Sequence, residues 1–345
     1  MREIIVGVSG INAVDNPGPG IGVARALLDD KDLNVKIVGL AYDGMEPGIY
    51  LDWLIDRSYI MPYPSGGYDA FIKRLEYIKA SFGLDFIIPN LDSELPLYAK
   101  YSEKIEKLGI GVFVPTLKQF HLRAKNRLAE VAEKIGIKIP QTEVVTSHDE
   151  LVEAVEKIGL PVMVKGALYK AYRAHTTQQA IEYYNKIVAE WGYPIVVQQV
   201  VSGEEMNVVG VGDGEGNSLG MLGIRKLWIT SLGKIWTGVS IRNQKMLNAA
   251  SSFIHTYNWK GAFELECISN NGDVYLIEIN PRFPAWSYFA AGVGLNLPSN
   301  MLRKAFGLPI SQNMDYKVGK LYVRYTYEVI TDLQPFQEIM TKGEW

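Results

Sequence analysis

The chain has 345 residues, of which 48% are hydrophobic and 21% charged, with a formal net charge of −3. That length exceeds one ordinary core and suits two or three packed units, and the balance of residues is that of a soluble globular protein. Near-neutral charge without a Lys/Arg cluster excludes a nucleic-acid footprint. A single cysteine, Cys267, excludes an intramolecular disulfide framework and a cysteine-based zinc site. The four histidines (His121, His148, His175 and His255) lack metal-ligand spacing. No apolar run approaches the ~20 residues that span a bilayer, and no basic segment with an apolar stretch precedes the strand-like start Ile4-Ile5-Val6-Gly7-Val8. The expectation is a soluble, cytoplasmic protein whose partners include neither nucleic acid nor membrane.

In chain order, residues 4–8 read as a strand, 20–28 as a helix after a Gly/Pro loop, and 35–40 as a strand. A helix over 68–82, a strand over 86–89, a helix over 95–108 and a short strand over 112–114 follow. Strands alternating with helices predict βαβ units and a parallel sheet over residues 1–115. A second unit, 116–200, opens with a helix over 125–135 stopped by Gly136 and Pro140. It continues with a strand over 143–145, a helix to 158 capped by Ser147 with Glu150 completing a capping box, a strand over 162–165, a helix over 178–190 and a strand over 195–199. From 201 to 345 the pattern becomes antiparallel, with strands at 206–212, 218–229, 234–241, 263–268 and 274–279 and helices at 246–257 and 300–306. The turn Asn270-Asn271-Gly272-Asp273 is the clearest hairpin signal in the chain. The fold class is therefore α/β (α+β), in three units.

The chemistry concentrates on that hairpin. Its strands carry Glu264 and Glu266 on one side, and Glu278-Ile279-Asn280-Pro281-Arg282 on the other. Residues two apart on a strand share a face, so these oxygens can converge on one hard cation, the usual way Mg²⁺ is held with substrate phosphates. Arg282 sits just past the strand end, where a planar guanidinium can grip a phosphate or carboxylate. The hairpin by itself leaves two readings open, a metal site or a strand with a solvated charged face.

Upstream, Lys125 opens a helix and Lys165 closes the apolar strand Pro161-Val162-Met163-Val164-Lys165, a costly position for a charge unless it meets an anion. The stretch Gln198-Gln199-Val200-Val201-Ser202-Gly203-Glu204-Glu205 links two units and can offer backbone groups to a planar base and a carboxylate to a ribose.

In order and spacing, these residues resemble the ATP-grasp superfamily, and within it the branch of biotin carboxylase and the carbamoyl-phosphate synthase large subunit. The resemblance covers about residues 115–300, and the first third is similar to that family's pre-ATP-grasp domain. It implies an ATP-grasp fold with a small lid and a C-terminal antiparallel subdomain. It implies ATP and Mg²⁺, or Mn²⁺ in its place, as cofactors. By position it places Lys125 and Lys165 on the nucleotide phosphates and Gln198 on the adenine amino group. Val200 and Val201 fall at the ring edge through their backbone, and Glu205 on the ribose. Glu264, Glu278 and Asn280 become metal ligands, with Arg282 and Lys165 catalytic. The implied activity is ADP-forming ligation of a small-molecule carboxylate to an amine through an acyl phosphate, amino-acid or peptide-like, with a homodimer compatible with it. Rival readings are a carboxylase or carbamoyl-transfer enzyme and a non-catalytic nucleotide-binding protein.

Two stretches depart from the family pattern. After Lys165, where many relatives carry a glycine-rich loop, this chain has Gly166-Ala167-Leu168-Tyr169-Lys170-Ala171-Tyr172-Arg173. Trp236-Thr237-Gly238 replaces a basic residue or histidine before Thr-Gly, which disfavours bicarbonate and favours a bulkier, more apolar substrate. The loop from Ser9 to Gly22 lacks the G-x-G-x-x-G spacing of a dinucleotide site. It and Asp92-Ser93-Glu94 lie at strand ends, where open α/β sheets bind ligands. The aromatic loop after Arg282, Phe283 to Gly292, is where the resemblance places acceptor contacts.

Overall fold

The computed structural model describes residues 2–166, 170–311 and 313–345. Three sheets organise the chain. The first holds β1 (Ile4–Ser9), β2 (Val35–Ala41), β3 (Arg57–Ile60), β4 (Phe86–Ile88) and β5 (Gly111–Val112), all parallel, in the order β3-β2-β1-β4-β5. Its strands are almost wholly apolar because both faces are covered. Val6, Val8, Ile37, Phe86 and Ile88 face the helix Pro19–Asp29, while Val38, Leu40 and Ile87 face the helices Tyr68–Ser81 and Leu95–Lys107. The strand order reverses between β1 and β4, which opens a crevice at their carboxyl ends.

The second sheet is small and antiparallel, with β6 (Thr142–Val145), β7 (Val162–Gly166), β8 (Ala171–Ala174) and β9 (Ile195–Gln199) in the order β6-β9-β7-β8. The helices His148–Ile158 and Thr177–Trp191 bury Leu151, Val155, Tyr184 and Ile187 against it. Ser147 caps the first of these, accepting from the Glu150 amide at 3.2 Å. The capping box expected there does not close on Ser147. The Glu150 carboxylate reaches one residue further back, to the Thr146 amide at 2.6 Å.

The third sheet has six antiparallel strands: β10 (Glu204–Asp213), β11 (Ser218–Ile229), β12 (Ile235–Ile241), β13 (Lys260–Asn270), β14 (Asp273–Asn280) and β15 (Leu321–Val323). Their order is β14-β13-β10-β11-β12-β15. The hairpin turn is as the sequence predicts. Asn271 (φ 49°) and Gly272 (φ 81°) take the left-handed conformations that a two-residue turn requires, and Asn270 pairs with Asp273. The helices Gln244–Tyr257 and Leu128–Ile135 cover one face. The other face shares a core with the parallel sheet, Val209, Val211, Leu222 and Ile224 packing together with Val23, Leu27 and Leu297. That shared core aims the ends of β1 and β4 at the β13–β14 hairpin.

Several elements depart from the sequence expectation. The helix expected over 125–135 begins as a 3₁₀ turn, Lys125–Arg127, and becomes α-helical only at Leu128. The strands β3, β8 and β15 and the helices Tyr288–Gly292 and Leu333–Lys342 carry too short or too mixed a pattern to be read in advance. Among the described residues, no helix is long and apolar enough to cross a membrane.

Candidate functional site

A chamber of about 500 Å³ lies where the crevice of the parallel sheet meets the six-stranded sheet. Asn12, Asn16, Asn90 and Asp92 line it from the first unit, and Glu205, Asn207, Lys226, Glu264, Glu266, Glu278, Asn280 and Arg282 from the third. The polar third-unit residues occur at every second position of β10, β13 and β14, because alternate side chains of a strand point to one face while the other face enters the core.

Register makes the arrangement specific. Glu264 stands opposite Asn280, and Glu266 stands directly opposite Glu278. The two glutamates of β13 then part company. Glu264 is buried, and both its oxygens are occupied: Oε1 accepts from Asn207 Nδ2 (2.6 Å) and Trp286 Nε1 (2.7 Å), and Oε2 from Asn280 Nδ2 (2.9 Å). Burial and the neighbouring Glu266 push its carboxyl up to about 7. Glu266 accepts from Lys226 Nζ at 2.8 Å and from Asn280 Nδ2 at 3.1 Å. Burial would raise its carboxyl, but Lys226, Arg282 and the Asn280 hydrogen bond hold it below the ordinary range. Glu278 is raised by burial and by Glu266, against the opposing pull of Lys125, Lys165 and Arg123. Like charges directly opposite on paired strands are destabilising, so this face is built around positive charge.

Part of that charge is present in the chain. Lys226 sits between Glu266 and Glu205, 3.3 Å from the latter, and these carboxylates raise its ammonium despite burial. Arg282 lies 3.4 Å from Asp92, whose other close partner is Arg123 at 3.0 Å. The loop bearing Asp92 is itself tied down. The buried Glu94 carboxylate accepts from the Asn90 and Leu91 amides, from Tyr42 Oη at 2.5 Å and from the Ser9 hydroxyl.

Lys125 and Lys165 lie beside the chamber, outside its lining. Lys125 donates to the Gly166 carbonyl at 2.7 Å, and burial lowers its ammonium. Lys165 donates to Gln198 Oε1 at 2.7 Å, and burial together with Lys125 pushes it down to about 8. Gln198 is buried, and its Nε2 donates to Thr142 Oγ1 at 3.0 Å. Both ends of the side chain that the resemblance assigns to adenine are therefore occupied within the small sheet. Val200 and Val201 are half-buried in the link between β9 and β10. Of the glycine-poor loop after Lys165, residues 167–169 lie outside the described residues.

Two opposed carboxylates, an amide and an arginine at one end of a chamber, with two half-buried lysines beside it, suit a metal-bound polyphosphate. The comparisons with known proteins agree. The ATP-grasp domain model matches residues 123–285, which include Lys125, Lys165, Gln198 and the whole hairpin through Arg282. Residues 123–285 are an ATP-grasp domain. The carbamoyl phosphate synthase arginine-specific large chain of Bacillus subtilis (strain 168) is 22% identical to this chain over 240 residues, 66% of the chain. The chain spans 22% of that relative's length. The biotin carboxylase domain dimer of Hydrogenobacter thermophilus 2-oxoglutarate carboxylase, in complex with MgADP, ADP and bicarbonate, superposes with a TM-score of 0.68 at 17% identity. The match covers 93% of this chain and 73% of that one. N5-carboxyaminoimidazole ribonucleotide synthetase from Thermus thermophilus gives 0.65 at 15% identity, covering 89% and 79%. The ATP-grasp fold is thus shared well beyond the matched domain.

Among the described residues, no three His, Cys, Asp or Glu side chains form a preassembled metal cage. Mg²⁺ does not require one, since it is commonly held by one or two carboxylates together with waters and substrate phosphates. The opposed Glu266 and Glu278, both half-buried, fit that demand better than Glu264, which is buried and already accepts three hydrogen bonds. Sequence reasoning placed Glu264 among the ligands, read Asp92 only as part of a strand-end loop and Trp286 only as part of the aromatic loop after Arg282, and passed over Asn207 and Lys226. A signal for Asn207 was available: Glu205 and Asn207 alternate along an otherwise apolar strand. For the pairing of Asp92 with Arg282 and of Trp286 with Glu264 none was, because each partner stands on a different element of the fold.

Proposed function

We propose that the chain is an ADP-forming ligase that activates a small carboxylate with ATP and joins it to an amine. The observation that carries this reading is the placement of the Glu266–Glu278 pair and Arg282 at one end of a chamber whose other wall is the crevice of the parallel sheet. A nucleotide phosphate reaching the pair from the Lys125 and Lys165 side would meet an acceptor entering from the crevice.

In this reading a carboxylate oxygen of the substrate attacks the terminal phosphorus and ADP leaves. The amine then attacks the acyl carbon, phosphate departs with the bonding electrons, and an amide remains after the amine loses its proton. Glu266, Glu278 and Asn280 Oδ1 would hold Mg²⁺, or Mn²⁺, against the phosphates. The bound ion supplies charge neutralisation of the phosphate oxygens. Lys125 and Lys165 bind the same phosphates, whose charge would compensate two ammonium groups that burial otherwise disfavours. Arg282 faces the charge that develops on the acyl phosphate oxygens, and Asp92 keeps its guanidinium oriented. Glu205 takes the ribose hydroxyls and the backbone at Val200 and Val201 the base, with Gln198 reaching the base only by leaving Thr142. The small sheet of β6 to β9 acts as the lid that excludes water from the acyl phosphate. Positioning and charge neutralisation provide most of the catalysis.

The test is Mg²⁺-dependent ADP release from the full chain, screened with paired carboxylates and amines and with bicarbonate alone. Release that needs both an organic carboxylate and an amine supports the ligase. Release with bicarbonate alone points to the carboxylase chemistry named in the Hydrogenobacter complex. Nucleotide binding without turnover under any pairing would overturn the enzyme.

A further inference from the structure

We infer that the crevice half of the chamber takes a phosphate-free molecule with an apolar body and a hydrogen-bonding edge of one donor and one acceptor. This rests on the ligase reading for which half is the acceptor's.

Charge is the first argument. Among the described residues, none of the chamber-lining residues contributed by the first unit is basic, and Asp92 adds a negative charge. Four other cations reach this half or its edge. Arg123 and Arg282 face Asp92, and Lys226 is held between Glu205 and Glu266. Arg324, behind the same loop, spends its guanidinium on the Pro17 carbonyl (2.9 Å), the Ala285 carbonyl (2.5 Å) and Tyr322. Among the described residues of the lining, only Lys234, exposed at the tip of the β11–β12 hairpin, is left to meet an anion. A phosphomonoester carries close to two charges at neutral pH and is held elsewhere by arginine forks or by helix N-termini.

The helix N-terminus at hand does not serve. Gly18 and Gly20 precede and open the helix Pro19–Asp29, but their amides already donate to the Asn12 carbonyl (2.7 Å) and the Gly10 carbonyl (2.9 Å). A Cβ at Gly18 would collide with the Gly10 carbonyl and with Asn12 Oδ1, and one at Gly20 with the Ser9 carbonyl. Oxygens crowd the end of this helix. They repel the anion that its amides would otherwise attract.

Shape and polarity supply the rest. Val14 and Pro19 approach from the first unit, and Ile229, Leu232 and Ile235 from the β11–β12 hairpin. The two elements are joined by a hydrogen bond from the Thr230 hydroxyl to Asp15. Two buried asparagines in the same wall each keep one amide atom without a partner, Nδ2 of Asn16 and Oδ1 of Asn90. The Asn90 orientation is settled by its Nδ2, which donates to the Ser9 and Ile88 carbonyls. The unpartnered Asn90 oxygen and the unpartnered Asn16 amide, beside apolar side chains, would be satisfied by an amine or amide edge on an apolar molecule once the two side chains turn toward the chamber.

Saturation-transfer NMR tests this on the full chain with Mg²⁺ and a non-hydrolysable ATP analogue, using leucinamide and ribose 5-phosphate as paired probes. The expected result is transfer to the leucinamide methyl groups and none to ribose 5-phosphate. Leu232→Asp and Val14→Asp change exposed side chains (67% and 84%) and should leave the melting temperature unchanged while weakening leucinamide about tenfold. Transfer to ribose 5-phosphate that is lost in Lys234→Ala would overturn the inference. So would leucinamide binding insensitive to both aspartates, or binding of neither probe. Nucleotide binding, read from the same samples by thermal shift, tests the ligase reading separately, since its absence sinks that reading whatever the probes do.

Discussion

Glu266 and Glu278 face each other across the β13–β14 hairpin, carboxylate against carboxylate, with Lys226 touching only the first. A pair of this kind costs stability by itself and is retained where something positive enters between its members. It converts a run of charged residues into a site.

Removing one member should therefore separate folding from activity. Glu278→Gln relieves the repulsion, so the melting temperature should stay level or rise by the equivalent of about 0.5 kcal/mol. Mg²⁺-dependent turnover should fall at least ~100-fold as a charge stabiliser is lost. A melting temperature that collapses would show Glu278 to be structural.

The two glutamates of β13 should respond in opposite ways. Glu264→Gln places an amide N–H₂ among the donors Asn207, Trp286 and Asn280, which should cost about 1–3 kcal/mol of stability in urea unfolding. Glu266→Gln should fold near normally and raise the Mg²⁺ concentration needed for half-maximal activity by about tenfold or more. If Glu264→Gln shifts the metal dependence and Glu266→Gln does not, the assignment of the ligands is reversed.

Asp92 reaches Arg282 from a different sheet, and its substitution tests a positioning role. In Asp92→Asn the guanidinium loses a charged partner but keeps a neutral acceptor, and in Asp92→Ala it loses both. Turnover should fall about tenfold and ~100-fold respectively, with ATP affinity nearly unchanged, because orientation matters most in the transition state. Equal losses in ATP affinity and turnover would mean that the pair merely holds the units together.

Lys165 predicts the pH response. Burial lowers its ammonium from 10.5 to about 8, so between those values the folded chain binds fewer protons than the unfolded one. Its contribution to stability therefore rises with pH through that window, and the full penalty of burying the charge is present below it. Nucleotide affinity should move the other way, highest below pH 8 and falling by up to about tenfold per unit above it as the ammonium is lost. Lys165→Met should bind weakly at every pH and flatten the slope. A slope unchanged in the variant would assign it to another group.

The alternation of Glu264/Glu266 and Glu278/Asn280 about the Asn270–Asp273 turn was legible in the sequence because strand period and turn chemistry are local rules. So were the βαβ alternation and Ser147 as a helix cap. The 3₁₀ entry at Lys125 was not, since the residues that tighten a first turn look like ordinary helix formers. Nor were β3 and β15, edge strands of four and three residues, too short for a periodic signal to show.

The sequence by itself determined which chemistry could assemble here: carboxylates at period two on a hairpin, an arginine at its end, lysines at an apolar strand terminus and a helix start. Those are properties of neighbours in the chain, governed by backbone geometry over a few residues. The tertiary structure decided which of them act together. It spent Glu264 on Asn207, Trp286 and Asn280, left Glu266 opposed to Glu278, and brought Asp92 to Arg282 across a separation of 190 positions. It also tied Gln198 to Lys165 and Thr142. Such choices depend on strand register and on a core shared between two sheets, and no local rule encodes either.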